Sequence, residues 1–93
     1  MNFPKSKELY ERGSKTLVGA VNSPVRAFKS VGGNPLFIQS GNGSKIKDAD
    51  GNSYLDLVGS YGPMILGHAH PKVLDAVNGA LNKSFSFGAS TEA

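Results

Sequence analysis

Residues 36–58 decide the fold of this chain, and they read LFIQSGNGSKIKDADGNSYLDLV. Three strand-like runs in this segment are separated by two turn signals. The runs are residues 36–40, 45–48 and 53–58, and the turn signals are Gly41-Asn42-Gly43 and Asp50-Gly51. Glycine and asparagine accept the positive φ that tight hairpin turns require. Ile46 lies between Lys45 and Lys47, which is typical of a sheet with one solvated face. The sequence therefore predicts a small antiparallel three-stranded meander.

One helix is predicted on each side of this meander. Ser6 is a candidate N-cap for the first helix, whose apolar face contains Leu9, Tyr10, Gly13 and Leu17. Proline suits the first position of a helix, so His70-Pro71 marks the start of the second. The apolar stripe of the second helix consists of Val73, Leu74, Val77 and Leu81. The predicted fold class is an α+β fragment with an N-terminal helix, a loop, a small antiparallel three-stranded meander and a helix.

Composition and charge exclude several classes of protein. The chain has 93 residues, a formal net charge of +3 and no cysteine, which excludes a disulfide framework and every thiolate metal site. Its lysines and arginines are dispersed, unlike the basic stripe of a nucleic-acid-binding surface. The most apolar segment, Pro63-Met64-Ile65-Leu66, is too short to cross a bilayer, and no targeting peptide is visible. These features predict a cytoplasmic protein without a nucleic-acid or membrane partner.

Acidic residues and histidines are present, but their spacing does not favour a metal site. His68 and His70 have no cysteine, aspartate or glutamate nearby at metal-ligand spacing, so a helix-capping or interface role is favoured. Asp48, Asp50 and Asp56 lack the downstream glutamate that a calcium loop requires. The sequence therefore predicts no metal site.

The stretch Asn22-Ser23-Pro24-Val25-Arg26-Ala27-Phe28 places one permanently charged guanidinium in a stiffened backbone. Arginine presents a planar fork of donors that fits a carboxylate in two parallel hydrogen bonds. Pro24 fixes its own φ and pushes Ser23 toward extended conformations, so less chain entropy is lost when a ligand binds. The spacing alone favours an ordinary surface arginine in a loop, and the alternative is an arginine that binds an anion.

The same stretch carries a family resemblance. Together with Val31-Gly32-Gly33 and Pro35-Leu36-Phe37-Ile38, it resembles the N-terminal part of the aminomutases of the class III pyridoxal-phosphate-dependent aminotransferase family. Further matches follow in order along nearly the whole chain. They are Asp48-Ala49-Asp50-Gly51-Asn52, Asp56, Gly59-Ser60-Tyr61-Gly62-Pro63, Leu66-Gly67-His68-Ala69-His70-Pro71 and Ser86-Phe87-Gly88-Ala89. The Asp-Gly turn and the Gly-His-x-His-Pro element are similar to class III aminotransferases in general, whereas Asn-Ser-Pro-Val-Arg-Ala-Phe is similar to the aminomutases in particular.

The resemblance implies a fold-type I pyridoxal-phosphate-dependent transferase of α/β class, of which residues 1–93 would form the N-terminal segment. Such enzymes run to several hundred residues and form homodimers, so the chain is expected to be a fragment that ends before the large cofactor domain or just inside it. The implied substrate is an amino-aldehyde, glutamate-1-semialdehyde, which is converted to 5-aminolevulinate for tetrapyrrole (porphyrin) biosynthesis. In the family pattern the Schiff-base lysine, the aspartate for the pyridine nitrogen and the phosphate donors lie beyond residue 93. The chain alone is therefore expected to be inactive, and no catalytic residue is assigned to it.

The resemblance also implies substrate-binding residues. Arg26 matches the family's arginine for the substrate carboxylate, and Ser23 and Val25 match neighbours that line the same pocket. Tyr61 falls where many relatives carry tryptophan, and it keeps an aromatic face while it loses area and adds a hydroxyl. The alternative for Tyr61 is a core anchor, and cofactor contacts of this segment are not assigned. Two other functions remain open: another class III aminotransferase, or a stand-alone binding or interaction module.

Overall fold

The computed structural model describes residues 2–92 and contains two helices and one three-stranded antiparallel sheet. The elements are α1 (Pro4–Gly13), β1 (Ile38–Asn42), β2 (Lys45–Asp48), β3 (Ser53–Leu55) and α2 (Pro71–Leu81). Strand β2 lies between β1 and β3. Short 3-10 turns occur in the connecting loops, at Val18–Ala20, Pro24–Ala27 and Gly59–Tyr61. The predicted fold class is confirmed.

The turn of the first hairpin lies later in the chain than the sequence pattern predicts. Asn42 pairs with Lys45, so the turn consists of Gly43 and Ser44, whereas Gly41 and Asn42 lie inside β1. Gly43 adopts a φ of +54°, which glycine reaches without steric strain. The predicted turn at Gly41-Asn42-Gly43 and the predicted strand 36–40 are therefore both shifted toward the C-terminus, because a two-residue loop is sufficient to close the hairpin.

The carboxylate of Asp48 is fully buried and closes the second hairpin. It accepts hydrogen bonds from the backbone N–H groups of Asp50 (3.0 Å) and Asn52 (2.8 Å), from the Asn52 side chain (2.9 Å) and from the Tyr54 hydroxyl (2.7 Å). Burial opposes ionisation, but the hydrogen bonds from Asn52 and Tyr54 keep the pKa of Asp48 below its ordinary value. Burial and the bond to Asp48 raise the pKa of Tyr54. Four donors thus satisfy a carboxylate that has no access to water.

Helix α1 is capped by Asp50, a residue of the turn between β2 and β3. The N–H groups of Lys5 (2.6 Å) and Ser6 (2.9 Å) donate to the two carboxylate oxygens of Asp50. First-turn N–H groups have no acceptor within the helix, and the helix dipole favours an anion there. Burial raises the pKa of Asp50, but the bonds from Ser6 and Lys5 outweigh it and leave the pKa lowered. A tertiary contact therefore replaces the local N-cap.

The prediction that Ser6 is the N-cap of α1 is wrong. The helix begins earlier, at Pro4, because proline is pre-organised for the first helical position. Ser6 is buried inside the first turn, and its hydroxyl accepts the N–H of Phe37 at 3.4 Å. Ser6 therefore joins α1 to the segment that leads into β1.

Helix α1 ends at Gly13, so Leu17 lies outside the helix on whose face it was predicted. The chain doubles back beyond Gly13, and buried Ala20 packs against it. A Cβ atom on residue 13 would lie 3.1 Å from the Cβ of Ala20, which is tighter than ordinary van der Waals contact. A glycine at this position permits the close approach of the two segments.

Helix α2 begins at Pro71, as the sequence predicts. His70 occupies the N-cap position and its carbonyl accepts the N–H groups of Val73 and Leu74, both at 3.0 Å, but its side chain makes no capping bond. No helix within residues 2–92 is long and apolar enough to span a bilayer.

The described chain buries little apolar surface of its own. Ala20 is the one buried hydrophobic residue within residues 2–92, and the stripe on α2 is between 42% and 48% exposed. The accessible surface is 7570 Å², whereas a folded monomer of 9.7 kDa exposes about 5,100 Å². The radius of gyration is 16.4 Å, against about 12 Å for a compact domain of this length. Much of the apolar surface is therefore exposed in the described chain.

Replacing Asp50 with alanine should release the start of α1 from the second hairpin. In the full-length protein, amide hydrogen exchange at Lys5 and Ser6 should rise about fivefold, the size expected for a lost N-cap. Exchange in β2 should change little. Asp75→Ala, which removes an exposed aspartate from α2, is the matched control. Unchanged exchange at Lys5 and Ser6 would contradict the capping role.

This cap should also depend on pH. Because the folded pKa of Asp50 is lowered, its contribution is fully present above the unfolded carboxyl pKa, about 3.9, and is lost as the pH falls through the folded value. Exchange at Lys5 and Ser6, corrected for its intrinsic pH dependence, should therefore rise only in this acidic window. Asp50→Asn should abolish this rise in exchange at acidic pH. The same rise in the Asp50→Asn variant would exclude Asp50 as its cause.

Candidate functional site

Three of the four predicted substrate-binding residues line one open groove of about 790 Å³. They are Val25, Arg26 and Tyr61. The other walls are largely apolar and include Leu17, Phe28, Phe37 and Ile46. Ser23 does not line the groove, and its carbonyl accepts the N–H of Arg26 at 3.0 Å. The groove therefore combines the Arg26 cation and several aromatic rings with the Asp56 and His68 side chains.

Arg26 lies on the short 3-10 turn Pro24–Ala27, which Pro24 begins. Ser23 is extended, with φ −147° and ψ 129°, as expected for a residue before proline. The Nη1 group of Arg26 donates to the Oδ1 atom of Asn22 at 2.7 Å, which fixes one edge of the guanidinium. Within residues 2–92, no acidic side chain forms an ion pair with Arg26. Its positive charge and its remaining donors are therefore available to an anion in the groove.

Tyr61 lies in a turn whose backbone is left-handed. The φ values are +54° at Gly59, +56° at Ser60 and +64° at Tyr61. Glycine tolerates this region, but each of the other two residues costs roughly 1–3 kcal/mol there. The Tyr61 side chain is 69% exposed, so it is not a core anchor of the described chain. Tyr61 lines the groove from a strained backbone, and such strain clusters at functional sites.

The contact between Asp56 and His68 closes the loop that carries Tyr61, and sequence reasoning missed it. The Oδ2 atom of Asp56 lies 2.6 Å from the Nε2 atom of His68, while its Oδ1 atom accepts the N–H groups of Val58 (2.9 Å) and Gly59 (3.1 Å). The bond with His68, followed by the two backbone bonds, holds the pKa of Asp56 below its ordinary value although burial opposes this. We call this contact the Asp56–His68 clasp. Since Asp56 captures the N–H groups of Val58 and Gly59, β3 ends at Leu55 and not at residue 58 as predicted.

His68 is fixed at three points. Its backbone N–H and C=O groups pair with Gly43 at 2.8 and 2.9 Å, and its ring bonds to Asp56. The ring also lies directly over Gly41, where an added Cβ atom would come within 2.6 Å of the His68 Cγ atom. Gly41 therefore allows the His68 ring to approach β1 closely, and it does not form the turn that the sequence pattern predicts. A glycine within a strand is the signal that could have predicted this contact.

The contacts of His68 with Asp56, Gly43 and Gly41 lie within this chain, so the interface role predicted for His68 stays a prediction. No group of three histidine, aspartate or glutamate side chains that could hold a metal ion occurs in the part of the chain that the structure describes.

The chain's own residues do not fit a covalently held aldehyde cofactor. Every lysine of the chain is exposed, and none of them lines the groove. A Schiff base requires a lysine amine at the reacting carbonyl, so no step of such chemistry can be derived from these residues.

Comparison with known proteins gives the family. Residues 28–93 match the profile described as "Aminotransferase class-III". The chain belongs to the class III aminotransferase family. This confirms the resemblance that the motifs predict.

Two curated class III relatives share most of this sequence. The glutamate-1-semialdehyde 2,1-aminomutases of Acetivibrio thermocellus and Geotalea daltonii are 59% and 56% identical to the chain over 92 residues. These matches cover 99% of this chain and 22% of each relative. The chain thus spans about a fifth of the length of the curated relatives it matches.

Solved transaminase structures share the fold. A "Transaminase with PLP bound" superposes with a TM-score of 0.84 at 33% identity, covering 99% of this chain and 21% of that one. An omega-transaminase from Sphaerobacter thermophilus gives a TM-score of 0.80 at 33% identity, covering 95% of this chain and 19% of that one. The described elements therefore match one portion of larger transaminase structures.

Gly41→Ala should displace the His68 ring and loosen the clasp. The added methyl group would overlap the ring, and overpacking of this kind costs about 1–3 kcal/mol. The midpoint of thermal unfolding of the full-length protein should fall. Gly79→Ala is the matched control, because an added Cβ atom on α2 meets nothing within 4 Å and alanine favours the helix. Equal midpoints for Gly41→Ala and the wild type would show that the ring does not need the space above Gly41.

Proposed function

We propose that this chain is the N-terminal part of a pyridoxal-phosphate-dependent aminomutase that converts glutamate-1-semialdehyde to 5-aminolevulinate. The observation that carries the proposal is Arg26, which forms no ion pair with an acidic side chain of residues 2–92 and lines a groove together with Tyr61. The 56–59% identity to proteins named as that aminomutase supports the substrate assignment. The reaction moves an amino group between neighbouring carbons of one molecule and supplies the precursor of tetrapyrroles. Since the chain spans 22% of those relatives, the activity is that of the full-length protein.

Each groove residue has a role in this proposal. Arg26 binds the substrate carboxylate through its guanidinium fork, and Asn22 orients the guanidinium. Charge-assisted hydrogen bonds of this kind contribute about 1.5–3 kcal/mol each. Tyr61 supplies a flat wall beside the substrate and Val25 adds apolar contact. Ser23 is proposed to shape the same pocket, and its carbonyl already anchors the backbone of Arg26.

The proposed enzyme requires groups from outside these 93 residues. Pyridoxal phosphate supplies the electron sink for amino transfer, and its Schiff-base lysine and phosphate donors are proposed to lie in the rest of the protein. The full-length enzyme is proposed to be a cytoplasmic homodimer without a nucleic-acid or membrane partner. The uncovered apolar stripe on α2 supports packing against a further protein surface.

A second candidate is a different class III aminotransferase that acts on an amino acid or an ω-amine. The observation in its favour is the structural similarity to an omega-transaminase at 33% identity. A stand-alone binding module is disfavoured, because a chain with one buried hydrophobic residue within residues 2–92 has little core of its own.

Arg26→Ala and Arg26→Lys should both impair the full-length enzyme. Alanine removes the carboxylate clamp, and lysine restores the charge but not the fork. We expect KM for glutamate-1-semialdehyde to rise and kcat/KM to fall by about one to three orders of magnitude. Steady-state formation of 5-aminolevulinate provides the measurement, and Arg12→Ala, which removes an exposed arginine of α1, is the matched control.

The outcomes separate the candidates. Unchanged kinetics in both Arg26 variants would show that Arg26 is only a surface residue. A wild-type enzyme that forms no 5-aminolevulinate but transfers an amino group from an ω-amine to a keto acid would favour the second candidate.

A further inference from the structure

The loop of residues 57–67 is anchored chiefly at its ends. At one end the Oδ1 atom of Asp56 receives the N–H groups of Val58 and Gly59, and at the other its Oδ2 atom meets His68. His68 is itself paired with Gly43 at the end of the first hairpin. One carboxylate therefore connects the start of the Tyr61 turn, the end of the loop and the sheet.

Tyr61 is held mainly by its backbone, whose N–H group donates to the carbonyl of Val58 at 3.0 Å. Its side chain is 69% exposed, so packing within residues 2–92 does not fix the ring. Its backbone is left-handed, as is that of Ser60, and such a backbone persists only where its surroundings restrain it. The turn begins at Gly59, whose N–H group is one of those that Asp56 holds. The restraint on Tyr61 thus leads back to Asp56.

The Asp56–His68 clasp is well suited to fix the position of the 57–67 loop relative to the groove. The Asp56 and His68 side chains are 9% and 21% exposed, and both reach the groove that Arg26 and Tyr61 line. A short bond between an ionised carboxylate and an imidazole resists displacement better than a solvated contact does. Gly41 has no side chain, which leaves space for the His68 ring in its observed position.

We infer that Asp56 and His68 form a positioning pair that holds Tyr61 against the substrate while Arg26 binds the carboxylate. The inference rests on the proposed function, since it assumes a substrate in this groove. The pair acts through the backbone of the 57–67 loop and takes no part in proton transfer. His68 is therefore expected to matter for catalysis only as long as Tyr61 is present.

A double-mutant cycle in the full-length holoenzyme tests this. We expect His68→Ala and Tyr61→Ala each to lower kcat/KM by about tenfold or more. The kcat/KM of the double variant should be at most about threefold lower than that of the less active single variant. His68→Gln keeps a donor for Asp56 and should recover most of the loss. Asp75→Ala, which removes an exposed aspartate of α2, should behave as wild type. If His68→Ala does not fold, Asp56→Asn replaces it in the same cycle.

Hydrogen exchange gives a second readout that does not depend on turnover. Exchange at the Val58 and Gly59 amides should rise in Asp56→Ala and His68→Ala but not in Tyr61→Ala. Losses of kcat/KM that multiply in the double variant, or unchanged kinetics and exchange in His68→Ala, would overturn the inference. A wild-type enzyme that uses another amine substrate would overturn the proposed function instead, and the same cycle on that substrate would still decide the role of the clasp.

Discussion

The hydrogen bonds to the buried carboxylate of Asp48 hold the second hairpin and, through it, the start of helix α1. The four hydrogen bonds of this carboxylate fix the turn between β2 and β3, and that turn presents Asp50 to the first turn of α1. Without a defined turn, α1 would lose its cap, and the contact between Ser6 and Phe37 would lose its support. Burying such a carboxylate is costly unless its partners are complete, so the donors on Asn52 and Tyr54 are as necessary as the aspartate itself.

Polar contacts to the backbone take the place of a hydrophobic core in this chain. Asp48, Asp50 and Asp56 each bind N–H groups of a turn or a helix terminus, and each has a lowered pKa. Hydrogen bonds are directional, so these contacts define loop geometry even where apolar burial is sparse. Asp56 also lines the groove that Arg26 and Tyr61 share. The stripe on α2 stays exposed in the described chain.

Features with a local signal could be predicted from the sequence. Pro71 marks the start of α2, and the glycine-containing turns with alternating polarity gave the three-stranded meander. The Asp-Gly turn and the Gly-His-x-His-Pro element predicted the class III family, which the comparisons confirm. The hydrogen bond that Arg26 donates to Asn22 has no such local signal, because Ser23 between them is extended.

Features that depend on distant contacts could not be predicted. Asp50 caps a helix that begins more than forty residues earlier, so local spacing pointed to Ser6 instead. Gly41 resembled a turn residue because its actual neighbour, the His68 ring, lies far along the chain. The Asp56–His68 clasp appears only when the loop has folded, since neither residue carries a local signal for the other. Tertiary contacts overrode local preference at each of these positions.

The most direct test of the account is a crystal structure of the full-length protein with a bound carboxylate analogue of the substrate. The measured quantities are the distances from the Arg26 guanidinium nitrogens to the carboxylate oxygens. We expect two parallel hydrogen bonds of about 2.7–2.9 Å between the guanidinium and the carboxylate. The Asn22 contact should be retained, and the Tyr61 ring should lie beside the ligand. A carboxylate bound elsewhere, with Arg26 directed into solvent, would contradict it.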